Sequence, residues 1–432
     1  MSVDLRDRLR RVLGPSRSVE AHPPVSEAPR EGALDVDRLV PGRVVLDPLG
    51  ACFVGERAFP LEHIHGGLPL AAFLGLGERA VACLARDAGL ASLDLRQMLF
   101  LDTETTGLSG GTGTYVFMVG LGFFDGDRFV VRQYFMRHHA EERAMLAQLN
   151  ELLPRFRALV SFNGKGFDVP LLQTRFVANR QRSALLAEVH LDLLFPSRRL
   201  WRERLESCSL GSIERAILGH VRRGDVPGWA IPELYFRYVR DGDARPMARV
   251  FAHNLDDILT LVALAGRLGH LLGDPLNAEP GAEAEDLFAV ARVYEDQGYW
   301  EDACVCYEAA LGASRSRDLQ VAVATRLAAL CKRRGRLERA LELWQRLLSA
   351  GYAQHHPYVE LAKHYEHRAR DYAQAITIVE QAITGLEVAE MRGHAAPGSS
   401  LAERRELERR LARLLAKQRR AAASRTPGGV CS

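Results

Sequence analysis

The order of apolar segments between Gln97 and Leu271 constrains this chain more than any other feature. Gln97 to Leu101 is a short apolar run that ends in Asp102. Tyr115 to Phe124 and Arg128 to Phe135 flank Asp125-Gly126-Asp127, a turn suited to a two-stranded hairpin. Helical periodicity then sets in from Glu141 to Leu153 and stops at Pro154. Ala158 to Phe162 reads as a buried strand, and a helix restarts at Asp168 with Pro170 in its first turn. Val189 to Leu193 supplies a fifth strand candidate, and Pro246 to Leu271 a strongly apolar helix. Three strands followed by helix, strand, helix, strand and helix predict an α/β layer architecture, a mixed five-stranded sheet with flanking helices.

Within that frame, Asp102 and Glu104 sit one residue apart where a buried strand ends. Side chains at i and i+2 of an extended chain share a face, so the two carboxylates converge and repel unless a cation offsets them. Hard oxygen ligands of this kind suit magnesium or manganese. Alone, the pair also fits a polar strand terminus with Thr105 and Gly107 as turn residues. Asp168, in Asn163-Gly164-Lys165-Gly166-Phe167-Asp168-Val169-Pro170, falls between a strand and a helix, a position where an aspartate can equally act as a cap. His253 and Asp257 are spaced to share one helix face beside Ile258, Leu261 and Leu264, where a buried acid needs a partner or a task. Asp256 points elsewhere and reads as solvated.

Together the segments Leu101 to Thr114, Phe162 to Phe176 and His253 to Leu259 resemble the three exonuclease motifs of the DEDD branch of the ribonuclease-H-like superfamily, and most closely its YprB-like subgroup. The resemblance spans residues 96 to 271 and agrees with the strand order. It implies that Asp102, Glu104, Asp168 and Asp257 ligate two divalent ions, Mg2+ or Mn2+, and that His253 activates the attacking water, giving 3′ to 5′ exonuclease chemistry on DNA or RNA with a single-stranded end. Thr105, Gly107, Asn163 and Asp192 are the expected substrate-side residues. Better-known members pair tyrosine with a three-residue gap before the last Asp, or histidine with a four-residue gap. Here histidine comes with the three-residue gap, so the base is less firmly assigned than the metal set. Gly110 to Gly113 lacks the Gly-Lys-Ser/Thr ending of a phosphate loop and reads as a hairpin approach or a plain turn.

After Gly281 the pattern becomes helical only. Gly298-Tyr299-Trp300-Glu301-Asp302-Ala303 aligns with Gly335-Arg336-Leu337-Glu338-Arg339-Ala340 and Arg370-Asp371-Tyr372-Ala373-Gln374-Ala375. The alanines recur after 37 and then 35 residues, near the period of about 34 of tetratricopeptide helix pairs. Such repeats commonly dock proteins, and a non-catalytic adaptor that holds nucleic acid and recruits a partner is the rival to the nuclease. The expected layout is a disordered tail over 1–40, an extension packing on the nuclease domain over 41–95, the ribonuclease-H-like domain over 96–275, repeats over 283–385 and a basic helix over 401–425. That last segment carries nine basic and three acidic residues, and reads as a solvated cap on the repeats or a nucleic-acid clamp.

A formal charge of +3 excludes a wholesale basic binding surface and leaves only a local one. Lys165, Lys332, Lys363 and Lys417 are the only lysines, so arginine dominance reflects compositional bias more than phosphate recognition. The cluster Arg198, Arg199, Trp201, Arg202 and Arg204, beyond Asp192, fits either a stacking and phosphate-binding surface or a solvated helix face. Seven scattered cysteines and the absence of a long apolar run predict a reduced, cytoplasmic protein without a membrane span.

Overall fold

The computed structural model describes residues 32–107, 113–185, 189–278, 281–350, 355–391 and 399–423. The expected tail up to residue 31 and the glycine-rich segment 108–112 lie outside them. The chain divides into two compact units. One comprises Met1–Pro60, Gln97–His190 and Arg222–Leu259, and the other Leu61–Arg96, Leu191–Val221 and Thr260–Ser432.

The sheet is built on β5 (Met98–Thr105), β6 (Val116–Asp125), nine of whose ten residues are buried, and β7 (Arg128–Phe135). β6 and β7 pair antiparallel through to Asp125 opposite Arg128, so the connection is Gly126-Asp127, with Gly126 at φ 57° as a tight hairpin demands. β5 pairs antiparallel with β6 and parallel with β8 (Ala158–Ser161), and β9 (His190–Asp192) lies beyond β8. The expected five strands are therefore present, but the sheet has seven. β1 (Gly42–Asp47) and β2 (Gly50–Pro60) extend it, in the order β1-β2-β7-β6-β5-β8-β9. The cause is the outer edge of β7, whose backbone groups need partners. β2 supplies them along Phe53 to Pro60 and inserts Phe53 into the core, edge-on to Phe251 at 5.8 Å. The small hairpin of β3 (Ile64–His65) and β4 (Leu68–Pro69) stands apart as a second, two-stranded sheet.

In the first unit, apolar side chains of β5, β6 and β7 meet the helices Glu142–Leu152, Asp168–Ala178 and Ile231–Asp241 in a continuous core. Tyr235 stacks flat on Phe117 with ring centres 4.0 Å apart. Arg175 and Glu142, both buried, tie two of the helices together through paired hydrogen bonds, and Arg175 also caps the Tyr115 ring at 4.2 Å.

The long helix Arg245–Gly273 crosses β6 closely, and two glycines make that approach possible. A Cβ on Gly120 would lie 2.2 Å from Asn254 Oδ1, and one on Gly122 would lie 2.4 Å from Ile258 Cγ2. One turn of helix from residue 254 to 258 advances about 6 Å, and two strand residues advance about 6.7 Å, so the two rows match.

The second unit is dominated by helix pairs: Ala284–Asp296 with Trp300–Ala313, Arg317–Arg333 with Leu337–Ser349, and His355–His364 with Tyr372–Met391. Ala303, Ala340 and Ala375 are fully buried at equivalent places, where a larger side chain would push the paired helices apart. Gly298, Gly335 and Arg370, one at the same position of each pair, all have positive φ. The final helix Ser399–Ala423 sends Arg410, Arg413 and Lys417 to the buried Glu366. Burial pushes the Glu366 carboxyl up, but the hydrogen bonds from Arg413 and Lys417 outweigh it and bring the pKa down to about 2. Among the described residues no helix is long and apolar enough to cross a membrane, and the six cysteines among them are unpaired.

Gly122→Ala is expected to lower stability by about 1–3 kcal/mol, because the new methyl must displace Ile258 or the Phe129 ring from a packed interior. Urea unfolding monitored by circular dichroism measures this; an unchanged midpoint would show that the close crossing does not depend on the glycine.

Candidate metal centre

Asp102 and Glu104 lie in the last four residues of β5, opposite Gly120 and Met118 of β6. The pairing register shifts immediately after Glu104, a bulge that bends the strand where the carboxylates emerge. On the neighbouring helix Arg245–Gly273, His253 and Asp257 form the row beside Asn254 and Ile258. The Nε2 of His253 lies 3.2 Å from Asp257 Oδ2, and donor atoms of Glu104, His253 and Asp257 all fall within 4.8 Å of one another. Asp168 begins the helix Asp168–Ala178, and Thr103 Oγ1 donates a short hydrogen bond to its Oδ1. A cleft of about 210 Å³ is lined by Asp102, Thr103, Glu104, Thr105, His253 and Asp257, with Phe167, Ile231 and Pro232 supplying apolar wall.

Electrostatically the cluster is strained. Glu104, Asp168 and Asp257 are buried; Asp102 retains some exposure, but its carboxyl end is enclosed. Burial, then the charges of Asp257, Glu104 and Asp168, hold the Asp102 carboxyl well above the usual carboxylate range, partly offset by a hydrogen bond from Asn254. Glu104 is raised in the same way by burial and by Asp257 and Asp168, against the opposing pull of Arg222. An array of converging hard oxygen donors that resist ionisation together is a fitting host for divalent cations such as Mg2+ or Mn2+.

Four residues that sequence reasoning passed over organise this site. Gln133, buried on β7, donates from Nε2 to the Phe251 carbonyl at 2.8 Å and to Asn254 Oδ1 at 3.0 Å. The fixed carbonyl sets the orientation of the Gln133 amide, which in turn orients Asn254, whose Nδ2 donates to Asp102 Oδ2 at 2.8 Å. Arg222 donates to Asp257 Oδ1 at 2.6 Å. Asp225 accepts from His253 Nδ1 at 2.7 Å, so the imidazole is held between two carboxylates. Burial raises the Asp225 carboxyl, but the His253 hydrogen bond and charge, with the Val226 amide, bring it below its ordinary value. Two arginines and an aspartate in Arg222-Arg223-Gly224-Asp225 gave a sequence signal, but one masked by the arginine-rich background.

The remaining expected residues are placed differently. Thr105 lines the cleft and donates to the Gly107 carbonyl at 2.8 Å, so the two shape the turn leaving β5. Asn163 is exposed, in a left-handed conformation at φ 65°. Asp192 is buried and accepts from the Leu194 amide at 3.1 Å, at the entrance to the helix Leu194–Trp201. Asp256 is half-buried rather than solvated. Within the arginine cluster beyond Asp192, Trp201 is fully buried and donates to Asp286 at 3.1 Å, Arg204 pairs with the same carboxylate, and Arg199 donates to the Leu84 carbonyl, while Arg198 and Arg202 are exposed. A stacking role for Trp201 is excluded by its burial.

Residues 99–269 match the RNase_H_2 model of the RNase H superfamily. The chain is also 32% identical over 344 residues to the uncharacterized protein YprB of Bacillus subtilis (strain 168), an alignment covering 77% of this chain and 80% of YprB. The chain belongs to the YprB family. Its carboxylate cluster thus falls inside a ribonuclease-H-like domain. A family B DNA polymerase structure from Pyrobaculum calidifontis is similar at 18% identity and a TM-score of 0.32, over 46% of this chain and 29% of the polymerase. So low a score carries no weight for fold or function.

Raised carboxyl pKa values mean that the folded, cation-free protein binds protons more tightly than the unfolded chain. Their stabilising contribution is complete below the ordinary carboxylate pKa of about 4 and is lost as pH rises through the raised values. In chelator, Asp102→Asn is therefore expected to be more stable than wild type at pH 8, by on the order of 1 kcal/mol, and to show a smaller gain between pH 8 and pH 5. Urea midpoints at the two pH values measure both; a wild type that is equally stable relative to the variant at each pH would show that the acids do not repel.

Proposed function

We propose that this protein is a metal-dependent nuclease that hydrolyses phosphodiester bonds of DNA or RNA, acting as a 3′ to 5′ exonuclease. The observation that carries the reading is the convergence of Asp102, Glu104 and Asp257 with His253 around one cleft, with the charge of Asp168 close enough to raise both Asp102 and Glu104. Asp102, Glu104, Asp168 and Asp257 would hold two ions, Mg2+ or Mn2+. Bound there, such ions supply Lewis-acid stabilisation of the charge that builds on phosphate oxygens during displacement.

The chain's own groups account for the rest. His253 receives the proton of the attacking water, and Asp225 orients the imidazole and stabilises the cation formed, as a carboxylate paired with a catalytic histidine does. Gln133 and Asn254 keep the Asp102 carboxylate turned into the cleft. Arg222, on Asp257, provides a positive charge beside the place where a phosphate would sit. Thr105 and Gly107 border the substrate path, and exposed Asn163 precedes Asp168 where a strand end can reach it. Trp229 is 74% exposed between Gly228 and Ile231, both of which line the cleft, so it offers an aromatic platform for a terminal base. The helix pairs, read as tetratricopeptide-like repeats, form a docking arm for a protein partner. Free thiols, five of the six described ones buried, suit a reducing, cytoplasmic setting.

The test is digestion of 3′- and 5′-labelled DNA and RNA oligonucleotides in Mg2+ or Mn2+. Wild type is expected to shorten the 5′-labelled strand progressively, and Asp102→Asn and Asp257→Asn to lose at least about 100-fold in rate. Asp225→Asn is expected to cost about 10- to 100-fold and to alter the pH–rate profile, which a purely structural role would leave in place. Equal degradation by wild type and the carboxylate variants would sink the assignment. Binding without degradation by any of them would favour the adaptor.

A further inference from the structure

A second cluster of ligand-type side chains lies entirely within the other unit. His65 closes the strand β3, Glu214 is in the short helix Leu210–Ala216, and His220 follows that helix across the turn at Gly219. One donor atom from each falls within 4.8 Å of the others. The His65 and His220 rings face each other with centres 4.2 Å apart and planes inclined by 36°. His65 is 4% exposed and Glu214 2%.

The surroundings hold these groups in place. Thr260, fully buried on the long helix, donates its only hydroxyl proton to Glu214, so it must accept from His65 Nε2 at 2.9 Å. The hairpin tip is pressed against the turn before His220: Gly66 has φ 56°, and a Cβ there would meet Leu218 Cβ at 2.7 Å. The amide of His220 donates to the Glu214 carbonyl at 3.0 Å, which folds His220 back toward the helix carrying Glu214. Against this ordered background, His220 Nε2 is buried and has no hydrogen-bond partner among the described residues. A buried imidazole nitrogen with nothing to bond to costs free energy. It stands beside a carboxylate and a second imidazole, a donor set that suits zinc.

We propose that His65, Glu214 and His220 bind one zinc ion, in a site separate from the carboxylate cleft. Two imidazoles and a carboxylate fill three positions of a tetrahedral ion, and water takes the fourth. Thr260 holds His65 and Glu214 in orientation, as residues behind metal ligands commonly do. The ion joins the β3–β4 hairpin to the segment 210–220. Its nitrogen-rich donor set also distinguishes it from the all-oxygen acids of the cleft, which favour harder cations.

The experiment uses the full chain, stripped with chelator, reloaded with zinc or cobalt alone, and passed through gel filtration before metal analysis. Wild type and the double variant Asp102→Asn/Asp168→Asn are expected to retain one zinc per chain and, loaded with cobalt, to show the visible absorption of a tetrahedral site. His220→Gln is expected to lose both. Thr260→Val, which keeps all three ligands, is expected to bind zinc about 10- to 100-fold more weakly and serves if His220→Gln fails to fold. Absence of stoichiometric zinc in wild type, retention by folded His220→Gln, unchanged affinity in Thr260→Val, or loss in the Asp102→Asn/Asp168→Asn protein would each overturn the proposal. The readout is metal content and absorption, so a failure of the nuclease reading leaves it intact.

Discussion

Like charge confined in a half-enclosed cleft is the constraint around which the first unit is arranged. Asp102, Glu104, Asp168 and Asp257 come from a strand and two helices, and bringing them together opposes folding in the absence of a cation. The fold meets that cost with packing elsewhere. Gly120 and Gly122 admit the long helix to the sheet, the Gln133–Asn254 chain fixes one acid, and Arg222 partly neutralises another. Each device is more economically understood as support for the cluster than as an isolated contact. Sites that are costly to build and well braced are the usual places for chemistry.

Strand order was legible because it rests on local signals: the Asp-Gly-Asp turn, the apolar run into Asp102, and proline and glycine at the helix boundaries. The convergence of Asp102 and Glu104 was legible for the same reason, since i and i+2 geometry needs no tertiary information. The role of β2 was not, because nothing in residues 50–60 announces that the edge of β7 lies open for them. Gln133 and Asp225 gain meaning only from partners 121 and 28 residues away, Asn254 and His253. Trp201 was ambiguous for the mirror-image reason: an aromatic among arginines suits a binding face until Asp286, 85 residues later, takes its indole proton.

Tertiary context also bears on the two readings of the basic C-terminal helix. Three of its cations converge on Glu366, which is fully buried, so part of its charge is used inside the protein. A buried carboxylate with several partners is costly to strip of them, and the arrangement ties this helix to the third helix pair. The cap reading gains support from that arrangement, while the outer face of the helix keeps arginines of its own.

The left-handed position shared by Gly298, Gly335 and Arg370 has a bearing on how the helical array comes apart. Glycine adopts that conformation freely, whereas arginine there forgoes roughly 1 kcal/mol. In a stack where each pair leans mainly on its neighbours, such a deficit stays local. The third pair also departs from regular helix at Tyr365–Ala369, just before Arg370. The third pair thus combines the least favourable turn with an irregular helix end, and its backbone amides are expected to exchange with solvent before those of the first two.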